Sequence, residues 1–103
     1  MKNLKVYNTE NVPLTNGSSL SGYLDTTYSK LIEKLGKPAF DSPSGDDKVQ
    51  VEWVLEFKGD LYTIYDYKTY SRDYTENELD RFNVGSKVNA NEFIDYLTNI
   101  LNN

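Results

Sequence analysis

The sequence predicts an α+β domain: a small antiparallel sheet of about three to four strands, packed with one helix from the N-terminal half and one at the C-terminus. Three observations carry this expectation. Tyr28, Leu31, Ile32 and Leu35 recur at i, i+3, i+4 and i+7, which places all four on one face of a helix. Val49, Val51, Trp53, Leu55 and Phe57 alternate with Gln50, Glu52 and Glu56, the period of a strand with one buried face. Phe93, Tyr96, Leu97, Ile100 and Leu101 then form a second helical stripe. The chain of 103 residues shows no repeat, low-complexity tract or linker, so residues 1–103 are read as a single α+β domain.

Each element has local support. Lys5-Val6-Tyr7 reads as a short edge strand and Asn16-Gly17-Ser18-Ser19 as a turn. The first helix is expected from about Thr26 to Leu35, with Asp25 or Thr26 as its N-cap. Gly36 is placed to end it in a left-handed conformation, and Pro38 prevents continuation. The Val49–Phe57 strand reaches a turn at Lys58-Gly59-Asp60 and returns as Leu61–Tyr67. A three-residue loop would set Trp53 opposite Tyr65 on the core face, a two-residue loop would exchange the faces, and both stay open. A further strand is expected near Arg81–Val84, with Phe82 and Val84 inward and Gly85 ending it. Asn89 and Glu92 make a capping-box-like pair for the last helix, with Val88 and Phe93 as its hydrophobic staple. Each helix is expected to pack on one face of the sheet.

Composition restricts the chemistry. The chain has no Cys and no His, one Trp, nine Tyr and a formal charge of −5. A thiolate nucleophile, a Cys/His zinc site and histidine acid–base catalysis are therefore excluded. The acidity belongs to the middle of the chain: residues 41–80 carry eleven acids against Lys48, Lys58, Lys68 and Arg72. That balance argues against direct binding of nucleic acid through bulk positive charge. No apolar run reaches the ~20 residues of a membrane span, and no apolar core follows the N-terminal residues as in a signal peptide. A soluble protein of the cytoplasm is expected, monomeric or homodimeric, since neither sheet edge carries an obvious Pro or bulge.

Three groups of residues could carry function. Asp46 or Asp47 with Glu56 and Lys58 matches the E-x-K end of a metal-dependent nuclease strand, where carboxylates hold Mg²⁺ and Lys supports the attacking water. The polar face of an amphipathic strand ending in a turn gives the same pattern. Tyr62, Tyr65, Tyr67, Tyr70 and Tyr74 could stack bases, but Asp66 and Asp73 are interleaved with Lys68 and Arg72, which suits a protein partner better. The acidic residues Asp46, Asp47, Glu52, Glu56, Asp60, Asp66 and Asp73, with Glu76, Glu78 and Asp80, could imitate a phosphate backbone before a basic channel. Net charge for solubility accounts for the same residues. No Gly-rich phosphate loop opens a helix, and no cofactor is expected.

The segment Leu20-Ser21-Gly22-Tyr23-Leu24-Asp25-Thr26-Thr27-Tyr28, followed by Leu31–Pro38, Asp46–Trp53 and Thr63-Ile64-Tyr65-Asp66-Tyr67-Lys68, resembles a family of small phage-encoded proteins. Its pattern is G-Y-[IL]-x-T-x-Y, a helix ending G-x-P, a D-x-K-x-x-x-E-W strand and a T-I-Y-x-[WY]-K strand. The resemblance covers residues 20–68. It departs at Arg81-Phe82-Asn83-Val84-Gly85, where the family has a His-bearing W-H-I-G-G-like strand. The helix–G-x-P–strand layout is also similar to β-lactamase-inhibitor-like and outer-membrane-assembly-lipoprotein domains, an analogy of fold alone. The resemblance implies a phage or mobile-element setting without catalysis. The function expected is inhibition of a host nucleic-acid-processing or defence complex, a protein or ribonucleoprotein, in the manner of an anti-CRISPR. The expected contact residues are Asp46, Asp47, Glu52, Glu56, Asp60, Tyr62, Asp66, Tyr70, Asp73 and Tyr74. A module that sequesters a small nucleotide signal is the alternative, and a metal-dependent nuclease is third.

Overall fold

A computed structural model describes residues 3–10, 12, 18–45 and 48–102. The elements follow in the order β1 (Leu4–Tyr7), β2 (Ser19–Leu24), α1 (Tyr28–Leu35), β3 (Glu52–Phe57), β4 (Asp60–Tyr65), α2 (Arg72–Asn77), β5 (Phe82–Ser86) and α3 (Asn91–Leu101). The five strands form one sheet in the order β1-β3-β4-β5-β2, and every neighbouring pair is antiparallel. The α+β class is as expected, with five strands rather than three to four. No helix among the described residues is long and apolar enough to cross a membrane.

A two-residue turn settles the faces of the sheet. Lys58 and Gly59 have φ of 52° and 89°, the pair of positive values that a type I′ hairpin requires. Phe57 is consequently paired with Asp60, Leu55 with Tyr62 and Trp53 with Ile64. Trp53, Leu55, Phe57, Tyr62 and Ile64 therefore share one face, joined by Phe82 and Val84 of β5 and Leu24 of β2. Tyr65 goes to the other face.

Both long helices cover that apolar face. Leu31 and Leu35 of α1 and Phe93, Leu97 and Leu101 of α3 enter the same core. Trp53 meets Tyr28 and Phe82 edge to edge, at centroid distances of 5.9 and 6.0 Å. Its indole N–H, which would otherwise be stranded in the core, donates to Gly36 O at 2.9 Å. Phe93 stacks flat on Tyr62 at 4.1 Å. Gly22 lies where α3 comes close, since a Cβ there would stand 2.6 Å from Ile94 Cδ1.

Several local expectations are corrected. Neither Asp25 nor Thr26 caps α1; Thr27 does, its hydroxyl accepting from Lys30 N at 3.4 Å. Asp25 instead pairs with Arg81, and Thr26 is buried with its N–H bonded to Asp80 O. Gly36 does end the helix at φ 81°. At α3 the capping box is absent: Asn89 Oδ1 accepts from Asn91 N, while Glu92 pairs with Lys58 at the hairpin turn. Gly85 does not end β5, which runs on to Ser86. Ser19 opens β2 rather than closing a turn, and Asn16 and Gly17 lie outside the described residues.

Leu97 is fully buried between α3 and the sheet. Leu97→Ala is expected to cost about 3 kcal/mol, measured as a lowered urea midpoint with an unchanged m-value.

Candidate protein-binding surface

The sheet presents its second face without a covering helix, and in the β4–β5 connection α2 lies against α1. These two regions hold most of the expected contact residues that the structure describes. Asp46 and Asp47 lie outside the described residues.

The connection is organised by Asp66, 1% exposed. Its Oδ1 accepts from the backbone N–H groups of Gln50 and Val51 at 2.7 and 3.1 Å. Its Oδ2 accepts from the hydroxyls of Thr69 and Thr75 at 2.9 and 2.7 Å. A carboxylate withdrawn from water is tolerable when its lone pairs are filled in this way. Asp66 thus joins the approach to β3, its own loop and α2. Lys68 N donates to Lys48 O at 2.7 Å, adding a second tie between the same segments.

Held from both sides, the loop adopts a backbone that it would avoid alone. Lys68 and Tyr70 have φ of 57° and 55°, the left-handed region that costs a non-glycine residue energy and persists where the surroundings impose it. One consequence is exposure: Tyr67, Tyr70 (59% exposed) and Tyr74 all face solvent. Ser71 caps α2, its hydroxyl accepting from Tyr74 N. Arg72 is anchored to Asp41 at 2.6 Å, Glu76 at 2.5 Å and Tyr28 Oη at 3.0 Å. Those partners hold its guanidinium protonated far beyond its ordinary range, against the opposing effect of burial. The charge of Arg72 is therefore met internally, while Asp73, Glu78 and Asp80 remain exposed beside the tyrosines.

Two expected contact residues are corrected by burial. Asp66 is a structural acceptor, and Tyr62, 5% exposed, lies in the core against Phe93. Asp60 is exposed at the hairpin turn, the far end of β4, roughly 17 Å from the tyrosine loop at ~3.3 Å per residue. Tyr70, Asp73 and Tyr74 are together on the loop and α2, whereas Glu52 and Glu56 stand on the helix-free face. Glu56 and Lys58 line one hollow beside β1, but each has another partner: Glu56 accepts from Tyr7 Oη at 3.3 Å, and Lys58 pairs with Glu92. Among the described residues no three carboxylates converge as metal ligands. Lys58 and Arg72, two of the cations that a nucleotide signal would need, already hold carboxylates.

On the helix-free face, burial pushes the Glu52 carboxyl above its ordinary value. Burial and the neighbouring Glu52 carboxylate push the Tyr65 phenol up as well. Tyr65 and Tyr7 were not among the expected contacts on this face; the sequence leaves open the turn type that places Tyr65 here. Comparisons with protein-family models, with curated proteins and with solved structures give no match.

Two outcomes follow from this geometry. Asp66→Ala leaves two buried N–H groups and two hydroxyls without their acceptor, and is expected to cost about 3 kcal/mol, read by urea denaturation. Glu52 has the opposite sign. Its folded-state pKa is raised, so the native protein binds more protons than the unfolded chain between the ordinary carboxylate value and the raised one. Ionised Glu52 therefore destabilises at neutral pH, and stability recovers as pH falls through the raised value. Glu52→Gln is expected to raise the urea midpoint at pH 7, with the gain shrinking towards about pH 4; an unchanged or lowered midpoint at pH 7 contradicts this.

Proposed function

We propose that this protein is a non-enzymatic binding protein of a phage or mobile element. In this reading it inhibits a host nucleic-acid-processing or defence complex, as an anti-CRISPR does, by occupying a basic surface of that complex. The observation that carries the reading is the tyrosine loop. Tyr67, Tyr70 and Tyr74 are exposed on a backbone held in a strained conformation by Asp66, with Asp73, Glu78 and Asp80 around them.

Tyrosine is favoured at protein interfaces because its ring supplies large contact area and its hydroxyl a hydrogen bond, at a cost of only two torsions. A loop already held in place loses less entropy on binding than a mobile one. The surrounding carboxylates steer a basic partner and repel nucleic acid. This combination supports a protein or ribonucleoprotein target in the host cytoplasm. It also supports a site without catalysis, since the tyrosine loop brings together contact residues rather than a nucleophile and a base.

The test is capture of targets from bacterial lysate by the tagged protein, at low and moderate salt, with the captured proteins identified by mass spectrometry. One nucleic-acid-processing complex is expected, recovered less as salt rises. With that target purified, Tyr70→Ala and Tyr74→Ala are each expected to weaken binding about tenfold, at the lower range of an interface hot spot. Asp73→Lys should slow association and flatten its salt dependence. Unchanged binding in all three variants would contradict the proposed surface.

A further inference from the structure

One row of side chains crosses the helix-free face where β1 has ended. The backbone of Glu52 exchanges both hydrogen bonds with Phe40, at 2.9 and 3.0 Å, in an isolated antiparallel bridge. Phe40 thereby takes a place next to β3 beyond the Tyr7–Val54 pair. On its other side Glu52 is paired with Tyr65, and Tyr65 in turn with Asn83 of β5. Directly opposed residues of antiparallel strands point to the same face. The Glu52 carboxylate therefore stands between two aromatic side chains, each about one strand spacing (~4.8 Å) away.

Two adjoining hollows meet at this carboxylate. One, of about 240 Å³, is lined by Ser18, Val49, Thr63 and Tyr65 with Glu52. The other, of about 310 Å³, continues over Val49, Val51, Phe40 and Pro43 to a second carboxylate, Glu10. Among the described residues no lysine or arginine lines either hollow. Among the described residues the Glu52 carboxylate has no hydrogen bond or ion pair. Both arginines of the chain are engaged elsewhere, Arg72 with Asp41 and Glu76 and Arg81 with Asp25.

We propose that this cleft receives an arginine side chain of the protein partner, its guanidinium paired with Glu52 and its methylenes laid along Val49 and Pro43. The inference rests on the binding-protein reading and names the chemistry of the partner's contact. Arginine fits better than lysine because a planar, weakly hydrated guanidinium can pair with a carboxylate while lying against aromatic rings such as Tyr65 and Phe40. The backbone beside the cleft is tied to the tyrosine loop. The cleft wall at Val51 is tied to Asp66, and residue 48 beside it is tied to Lys68.

The experiment uses the ¹⁵N-labelled whole protein, titrated with N-acetyl-argininamide and, separately, with its neutral isostere N-acetyl-citrullinamide. Saturable amide shifts at Phe40–Ser44 and Val49–Glu52 are expected with the arginine compound in the millimolar range, at least tenfold weaker with citrulline. Glu52→Gln should abolish them in a protein whose remaining spectrum is unchanged, and Tyr65→Leu should weaken them with no change of charge. Equal shifts from both compounds, shifts elsewhere, stronger shifts from spermidine, or binding that survives Glu52→Gln would overturn the proposal. Target capture lost in Tyr70→Ala but unaffected by Glu52→Gln would remove the cleft and leave the binding-protein reading standing. Arginine-compound binding by a protein that captures no target would do the reverse.

Discussion

The buried carboxylate of Asp66 is the constraint on which the functional half of the molecule depends. It satisfies the backbone N–H groups of Gln50 and Val51 and the hydroxyls of Thr69 and Thr75, and so fastens its own loop and α2 to the approach to β3. Buried carboxylates usually need a cation; here four hydrogen bonds, two of them from the main chain, replace it. Everything outward of Asp66 follows from that arrangement. The loop can hold Lys68 and Tyr70 at positive φ, the chain turns directly into α2, and three tyrosines are left facing water.

The sheet adds a division of labour between its faces. The type I′ turn at Lys58-Gly59 sends Trp53, Leu55 and Phe57 with Tyr62 and Ile64 toward the helices. The same register gives Glu52, Glu56 and Tyr65 to the helix-free face. That face is not a simple solvated surface: Val54 and Thr63 at its centre are buried. Ionised Glu52 is a liability for folding there, and residues that cost stability without serving the core are where binding functions are commonly found.

The sequence made much of the core legible. The α1 stripe, the alternation in β3 and the α3 stripe all reappear, because in each the apolar period matches the element's geometry and the flanking residues stop it cleanly. Two elements escaped. In β2 the irregular pairing between Leu20 and Gly22 breaks the alternation, and Leu20 and Tyr23 face outward, so no strand period survives in the sequence. The helix α2 is six residues long and buries only Thr75; with no apolar stripe it leaves no helical signal. The acidic residues were countable but not placeable. Asp66, Glu52 and Asp60 have the same charge, yet one is a buried acceptor, one is flanked by aromatics and one is at a hairpin turn. Charge pattern does not distinguish these, because the difference lies in long-range partners such as Gln50 and Phe40.

The account's central claim is that the tyrosine surface is preorganised by Asp66 rather than ordered by a partner. ¹⁵N relaxation of the free protein measures this directly at the amides of Tyr67–Tyr74. Order parameters near the ~0.85 of rigid backbone are predicted through the loop, at the level of β4. Values below about 0.6 across Lys68–Ser71 would show a loop that Asp66 does not hold, and would contradict the account.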